Sequence, residues 1–443
     1  MLLIYSEKSS PRLQYVMDFI FSDVAAAVYE HTTDLEQYVN FNGSKLNYSS
    51  QRIEENEFFL AAFPFIFEND LTTQRVNVID FEETKALFPI SRIESSENNR
   101  TADFPFDIFS AVFYMLSRFE EYQPFIKDIH GRFKPTESIA FNNGFLNKPV
   151  VNIWVKHFID KINNKLSLKL SPKPKKYNFI NTLDIDIAYS FINKGLYRNF
   201  FGYLRSVKNG NMGEIMERTR VITGLHKDPF DTFDLILDLH QKYNLNTVFF
   251  IHVGDYGLYD KNIPYKNNKF RDLIRHLSDY AEIGIHPSYE SSTKQEKLQI
   301  EIERLSEIIK KDITKSRQHF LKLTFPKTYR NLLNNKIKED YSLGYASEVG
   351  FRAGTCTPFK FFDLDTNQKT ALTIRPFSIM EGTLRDYQHK NKQEALQSIT
   401  QQIEAVKSVN GEFISLWHNE SLSNADRWEG WHEVYEKMIN LAL

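Results

Sequence analysis

Two different patterns of apolar and polar residues follow one another along the chain. Up to about residue 170, apolar residues recur at helical spacing in three segments, Pro11–Phe21, Phe106–Tyr122 and Lys148–Leu166, after a short apolar run at Leu2–Tyr5. Beyond that point, short apolar or β-branched runs alternate with helical patterns. The first part therefore predicts mixed helices and strands, and the second predicts repeated β-α units.

Seven runs in the second part have the length and composition of buried strands. Four helical patterns separate several of them, at Thr232–Tyr243, Phe270–Tyr280, Lys294–Lys311 and Lys392–Val409. Such alternation is typical of parallel strands joined by crossover helices, as in a barrel or a doubly wound sheet. The predicted strands are Tyr177–Ile187, Thr247–Val253, Glu282–Ser288, Arg317–Leu323, Tyr341–Ala346, Thr370–Ile379 and Glu412–His418.

A connector rich in lysine and proline, Ser167–Lys176, lies between the two patterns. Such a segment suits an exposed link between domains. We therefore predict a smaller α/β accessory domain at residues 1–170, whose role no motif indicates, and a β/α domain at residues 171–443.

Ionisable residues recur at the carboxyl ends of the predicted strands, where active sites of both architectures lie. Arg317 and His319 are exceptions, because they open the fourth predicted strand instead of ending it. The residues at strand ends are Asp184 and Asp186 in NTLDID, His252 and Asp255 in FFIHVGD, His286 in EIGIHPSYES, Arg352 in GFRAGT and His418 in ISLWHNES.

These residue types suit metal-assisted hydrolysis. Asp184 and Asp186 are two apart, so on a regular strand they point the same way, and a cation or a proton would relieve their repulsion. One carboxylate and two imidazoles can bind a divalent metal and leave positions open for water and substrate. The second carboxylate can then act as base, and a protonated histidine, for which His418 is the candidate, can protonate a leaving group.

Composition narrows the class of protein further. Lys plus Arg total 55 and Asp plus Glu total 57, so the net charge of −2 gives no electrostatic case for nucleic acid or an anionic membrane as the main partner. The single cysteine excludes an internal disulfide and a multi-cysteine zinc site. No apolar run is long enough to span a bilayer, and the polar residues soon after Met1 do not match a signal peptide, so we expect a cytoplasmic protein.

At these residues the sequence resembles the polysaccharide deacetylase family, also known as the NodB-homology group or carbohydrate esterase family 4. The resemblance covers roughly residues 176–443, and five short motifs occur in the family's order: TLDID, NTVFFIHVG, HPSYE, RQHF and LWH. It implies a distorted (β/α)7 barrel and the removal of an acetyl group from a sugar or polysaccharide precursor. It also implies a divalent metal, for which we expect zinc.

The resemblance further implies roles for individual residues. Asp184 would be the base, Arg317 would orient it, and His418 would be the acid. Asp186 and His286 would bind the metal. Apart from the resemblance, we predict that Trp417, next to His418, contacts substrate, and Arg352 in GFRAGT is equally suited to binding substrate and to a structural salt bridge.

Two departures from the family pattern concern the third metal ligand. The family's second motif is His-x-x-x-His, but Glu290 stands four residues after His286; the third motif has proline where this chain has His319. We predict that His319 supplies the ligand that the second motif lacks, with Glu290 as the rival.

Two other functions remain open on the sequence alone. The altered motifs are compatible with a barrel that binds carbohydrate without catalysis. The Asp-Ile-Asp sequence also fits the Asp-x-Asp motif of a nucleotide-sugar glycosyltransferase, although that function leaves His286, His319 and His418 without roles. The sequence contains no indication of oligomeric state.

Overall fold

A computed structural model describes residues 1–25, 27–90, 102–170 and 176–443. The predicted connector Ser167–Lys176 therefore lies partly outside the described residues. The protein has mixed α/β structure with two principal sheets, one before and one after this connector in the sequence.

The N-terminal part contains a four-stranded parallel sheet in the order β2-β1-β3-β4 and a separate antiparallel pair, β5 and β6. The strands are β1 (Leu2–Ser6), β2 (Tyr29–Thr32), β3 (Ser44–Ser49), β4 (Phe58–Ala61), β5 (Val78–Phe81) and β6 (Thr84–Leu87). The helices are α1 (Pro11–Met17), α2 (Leu35–Asn40), α3 (Ile108–Leu116), α4 (Ile139–Asn142) and α5 (Val150–Leu166).

Local chemistry explains where the predicted N-terminal helices begin and end. At the start of α1, the Ser10 side chain accepts a hydrogen bond from the backbone N–H of Leu13, and Pro11 occupies the first turn, where no donor is needed. The helix predicted at Phe106–Tyr122 is shorter, because Arg118 adopts a left-handed conformation with φ of 54° and interrupts it.

The C-terminal part contains a nine-stranded sheet in the order β12-β13-β11-β10-β9-β8-β7-β15-β14. All its pairs are parallel except β12 with β13, which form an antiparallel hairpin that the sequence pattern did not predict. The strands are β7 (Asn178–Ile185), β8 (Thr247–Ile251), β9 (Glu282–Ile285), β10 (Lys315–Ser316), β11 (Glu339–Asp340), β12 (Phe359–Asp363), β13 (Gln368–Ile374), β14 (Ile379–Met380) and β15 (Glu412–His418).

A closed barrel is not seen. Within the described residues, β12 and β14 end the sheet and do not pair with each other. The helices of this part are α6 (Leu196–Lys208), α7 (Met212–Ile222), α8 (Phe233–Tyr243), α9 (Asn268–Tyr280), α10 (Gln295–Ile309), α11 (Lys327–Asn334), α12 (Lys392–Lys407) and α13 (Trp431–Ala442).

The fourth and fifth predicted strands were placed too late in the sequence. Strand β10 ends at Ser316, so Arg317 and His319 follow the strand instead of opening it. Strand β11 likewise ends at Asp340, before the predicted Tyr341–Ala346. Both strands are only two residues long, which is too short to give a periodic signal in the sequence.

One hydrophobic core extends through both parts of the chain. The Tyr15 ring of α1 packs on Phe362 of β12 with ring centroids 5.1 Å apart, and the Tyr15 hydroxyl donates a hydrogen bond to the Lys360 carbonyl. Among the described helices, each is too short or too polar to cross a bilayer.

Candidate active site

A cleft of about 180 Å³ opens at the carboxyl edge of the parallel strands. Asp184 of β7 and His418 of β15 are directly paired in register on neighbouring strands, and both line the cleft. The other predicted site residues that line it are Asp186, His286 and His319, each of which follows a strand.

Asp186, His286 and His319 form a cluster with the composition of a metal site. Their potential ligand atoms all lie within 4.8 Å of one another. His286 Nε2 is 3.0 Å from Asp186 Oδ1, and His319 Nε2 is 3.3 Å from Asp186 Oδ2. Burial opposes ionisation of Asp186, but His319 and His286 outweigh it and hold the pKa of this carboxyl well below its usual range.

The hydrogen bond that each imidazole makes at Nδ1 determines whether its Nε2 can act as a metal ligand. His286 Nδ1 lies 2.6 Å from the Arg317 carbonyl oxygen, which can only accept, so Nδ1 carries the proton. His319 Nδ1 lies 3.0 Å from Asp260 Oδ1, again an acceptor. In the neutral form of each ring, Nε2 then presents a lone pair towards Asp186.

Asp260 is a site residue that the sequence analysis missed. Its carboxylate also accepts a hydrogen bond from the backbone N–H of Tyr289 and lies 3.4 Å from His252 Nε2. Burial lowers the pKa of His319, but Asp186 and Asp260 on its two sides raise it to about 9. Asp260 follows β8 by nine residues, in a loop whose path no local sequence signal indicates.

Arg317 holds the second aspartate, Asp184. Both side chains are buried, and Arg317 Nη1 donates to Asp184 Oδ1 at 3.0 Å and to Thr182 Oγ1 at 2.6 Å. Arg317 Nε donates to the Tyr341 carbonyl oxygen, which fixes the guanidinium from the other side. Asp184 Oδ2 lies 3.9 Å from His286 Nε2.

His418 is held by Glu381, another residue that the sequence analysis missed. His418 Nδ1 is 2.7 Å from Glu381 Oε1, which also accepts the His418 backbone N–H at 2.9 Å. Burial would lower the pKa of His418, but Glu381, and more weakly Asp186 and Asp184, raise it well above its usual value. Glu381 directly follows β14, so its place at a strand end was a signal that could have identified it.

Arg352 does not face the cleft. Its side chain is buried, and its Nε donates to Glu121 Oε1 at 2.9 Å in an ion pair with the N-terminal part. The structure therefore favours a structural salt bridge over substrate binding as the role of Arg352.

The prediction that Trp417 contacts substrate does not match the structure. The Trp417 side chain is fully buried, packs on Tyr435 with ring centroids 5.0 Å apart, and donates from Nε1 to Met438 Sδ. His418, the next residue on the same strand, faces the cleft.

Glu290, the rival third ligand, is half exposed and forms salt bridges with Lys294 and Lys297. It does not line the cleft that contains Asp186 and His286. Asp255 is also largely exposed and pairs with Arg304.

Comparison with known proteins gives a match of the N-terminal part to one family model. Residues 2–167 match a family of unknown function, DUF7033. No curated protein matches the chain.

Several solved structures are similar to part of this chain, at low sequence identity and with TM-scores below 0.5. A "putative polysaccharide deacetylase" from Mycobacterium smegmatis is 13% identical, with a TM-score of 0.40 over 60% of this chain and 85% of that one. A polysaccharide deacetylase from Bacillus cereus is 10% identical, with a TM-score of 0.30 over 60% and 88%. A mutant of a carbohydrate esterase family 4 pseudoenzyme is 9% identical, with a TM-score of 0.31 over 60% and 63%.

Proposed function

We propose that this protein is a metal-dependent hydrolase that removes an N-acetyl or O-acetyl group from a sugar or a polysaccharide precursor. The observation that carries the proposal is the pair of imidazoles, His286 and His319. Each uses Nδ1 for a fixed acceptor and turns Nε2 towards the same carboxylate.

The residues present fit a divalent metal. Asp186 Oδ1 is buried, and its near neighbour at 3.0 Å, His286 Nε2, presents a lone pair and not a proton when the ring is neutral, so a cation between them would offset the cost of burying this oxygen. Two imidazole nitrogens and one carboxylate are the donor set of many catalytic zinc sites, which keep further positions open. We propose zinc, held by Asp186, His286 and His319, where it would polarise an acetyl carbonyl and make a water more acidic.

Asp184 is positioned to act as the general base. It lies beside the proposed metal ligands, since its Oδ2 is 3.9 Å from His286 Nε2, and it faces the cleft. Arg317 keeps its other oxygen engaged, so the free oxygen can accept a proton from the attacking water at a defined place. Arg317 is thus a positioning residue for the base.

His418 is positioned to act as the general acid. It lies at the end of the neighbouring strand, with Nε2 3.8 Å from Asp186 Oδ2 and Nδ1 bound to Glu381. The negative charge of Glu381 stabilises the imidazolium, so a proton is available at Nε2 for the departing amine. Without that proton, an amide would have to expel a strongly basic anion.

Measuring acetate release from N-acetylated sugar oligomers, with and without a chelator, tests the proposal. We expect release that the chelator abolishes and added zinc restores. Binding of the oligomers without acetate release would support the non-catalytic carbohydrate-binding protein instead. Consumption of a nucleotide sugar would support a glycosyltransferase.

A further inference from the structure

A helical hairpin made of α6 and α7 leaves the sheet after Asp186 and returns before α8. Most apolar side chains of α6 point into solvent: Tyr197 is 83%, Phe200 59% and Phe201 63% exposed. Further exposed apolar residues of the hairpin are Leu196, Leu204, Val207, Met212, Met216, Ile222 and Leu225.

The exposed residues of α6 form one continuous stripe. Positions 196, 197, 200, 201, 204 and 207 recur with the spacing of a single helix face. A helix of a globular protein normally turns such a stripe to the core. Here the stripe faces outward, so the fold leaves it available for a partner.

The opposite face of α6 is small and polar, and it packs on α7. Ser206 is buried there, and Arg218 of α7 donates to Asn199 at 3.2 Å and to Glu214 at 2.7 Å. The Arg218 guanidinium also lies 4.7 Å from the centre of the Phe191 ring. These contacts hold the hairpin in the orientation that exposes the apolar stripe.

Three exposed cations lie on this hairpin. Of the seven Lys and Arg residues from Lys194 to Lys227, Arg218 is buried in a pair with Glu214 and Lys227 pairs with Asp234, so these two add little to its exposed charge. Arg205, Lys208 and Arg220 are exposed on the hairpin. By helical geometry, Lys208 and Arg205 lie along one border of the apolar stripe of α6.

We propose that the α6–α7 hairpin docks on the surface of an anionic lipid bilayer, with its apolar stripe among the headgroups and acyl chains. A helix with a strong apolar face, aromatic residues and flanking cations is the arrangement that binds such an interface. The cations would meet anionic headgroups, which favour each Lys or Arg near the surface.

The cations beside the apolar stripe favour an anionic membrane over a second copy of the chain as the partner that covers it. In a symmetric dimer both copies would use the same patch, so the interface would contain Arg205 and Lys208 from each copy. Like charges brought together in this way oppose association, whereas an anionic bilayer attracts them.

The hairpin is anchored near the cleft. Buried Asp228, after α7, accepts the backbone N–H groups of Ser190 at 2.7 Å and Phe191 at 2.8 Å, a few residues beyond Asp186. Arg198 of α6 donates to the Asn262 carbonyl oxygen, in the same loop as Asp260. A docked hairpin would therefore hold the cleft close to the bilayer.

Vesicle flotation tests this proposal and needs no enzymatic activity, so it is independent of the proposed function. We expect the full chain to float with vesicles of equal parts phosphatidylcholine and phosphatidylglycerol, and not with pure phosphatidylcholine. Phe200→Glu combined with Leu204→Glu should abolish flotation. The matched control is Leu35→Glu with Val39→Glu, which changes two residues of similar exposure at the same spacing on α2 and should leave flotation unchanged.

A second variant tests the charges and retains the apolar stripe. Arg205→Gln, Lys208→Gln and Arg220→Gln together should weaken vesicle binding by roughly a hundredfold. Failure of the wild-type protein to float would overturn the proposal, as would equal loss in the α2 control. Sedimentation without vesicles that shows a dimer dissociated by the Phe200 and Leu204 changes would also overturn it, by assigning the stripe to a second copy.

Discussion

Asp260 lies 3.0 Å from His319 Nδ1, on the side of the imidazole opposite Asp186. This carboxylate sets the orientation of the ring and, in the neutral form, places the lone pair on Nε2. His319 can therefore serve as a ligand from a loop after β10, even though the resembled family takes its second histidine from the motif that contains His286.

We expect His319→Ala to lose most of the bound metal, because it removes one of three proposed ligands. Asp260→Ala should keep the ligand but weaken metal affinity about 10- to 100-fold, because the ring loses its orienting partner. Metal content after dialysis against a graded chelator measures both effects.

Glu290→Ala is the matched control for this series. It should retain metal at the wild-type level, because Glu290 is engaged with Lys294 and Lys297 at the surface. Loss of metal in Glu290→Ala with retention in His319→Ala would transfer the ligand role to Glu290.

Asp184→Asn should lower turnover by about 10²- to 10⁴-fold, the usual contribution of a general base. Metal content should stay near that of the wild type, because Asp184 is not one of the proposed ligands. Acetate release and metal analysis on the same preparation distinguish a lost base from a lost metal. A variant that is inactive because it contains no metal would contradict this role.

His418→Ala should slow the hydrolysis of acetamide substrates much more than that of activated aryl acetates. An amine needs a proton to depart, whereas an activated phenolate leaves without one. Glu381→Gln should show the same selectivity to a smaller degree, since it removes the charge that stabilises the imidazolium. Equal slowing of both substrates would indicate a structural role for His418.

Arg352→Ala should lower the free energy of unfolding by about 1.5–3 kcal/mol, because it removes charge-assisted hydrogen bonds to the buried carboxylate of Glu121, which keeps its ion pair with Arg118. The Michaelis constant should stay unchanged, because Arg352 does not line the cleft. Denaturant titration and steady-state kinetics measure the two quantities. A raised Michaelis constant at unchanged stability would return Arg352 to substrate binding.

Cys356 should resist thiol reagents in the folded protein. Burial raises the pKa of its thiol, so the reactive thiolate is scarce at neutral pH, and the side chain is only 2% exposed. We expect alkylation by iodoacetamide only after unfolding, as followed by mass spectrometry, and no effect of reductant on thermal stability. Rapid labelling of the native protein would contradict this expectation.

Much of the cleft could be predicted because parallel strands bring their carboxyl ends to one edge. Asp184, Asp186, His286 and His418 all follow from that rule. The contacts that hold His319 and Arg352 could not be predicted in the same way. Asp260 reaches His319 from a loop, and Glu121 is 231 residues away from Arg352 in the sequence.

Trp417 shows a different kind of error. Successive side chains on a strand point to opposite faces, so Trp417 and His418 cannot both face the cleft on regular β15. The alternation of side chains along β15 therefore predicts that only one of these two neighbours faces the cleft. Similarly, the even balance of charge over the whole chain concealed the basic segment between Lys194 and Lys227.

Because one hydrophobic core extends through both sheets, dividing the chain at the connector would expose part of that core. Removing the N-terminal part would uncover Phe362 and deprive Arg352 of its ion pair with Glu121. An engineer who wished to transplant the cleft would therefore need to carry both sheets together. By the same physics, recombination at the connector would separate two surfaces that are complementary to each other, so selection would favour inheriting the two parts as one gene segment.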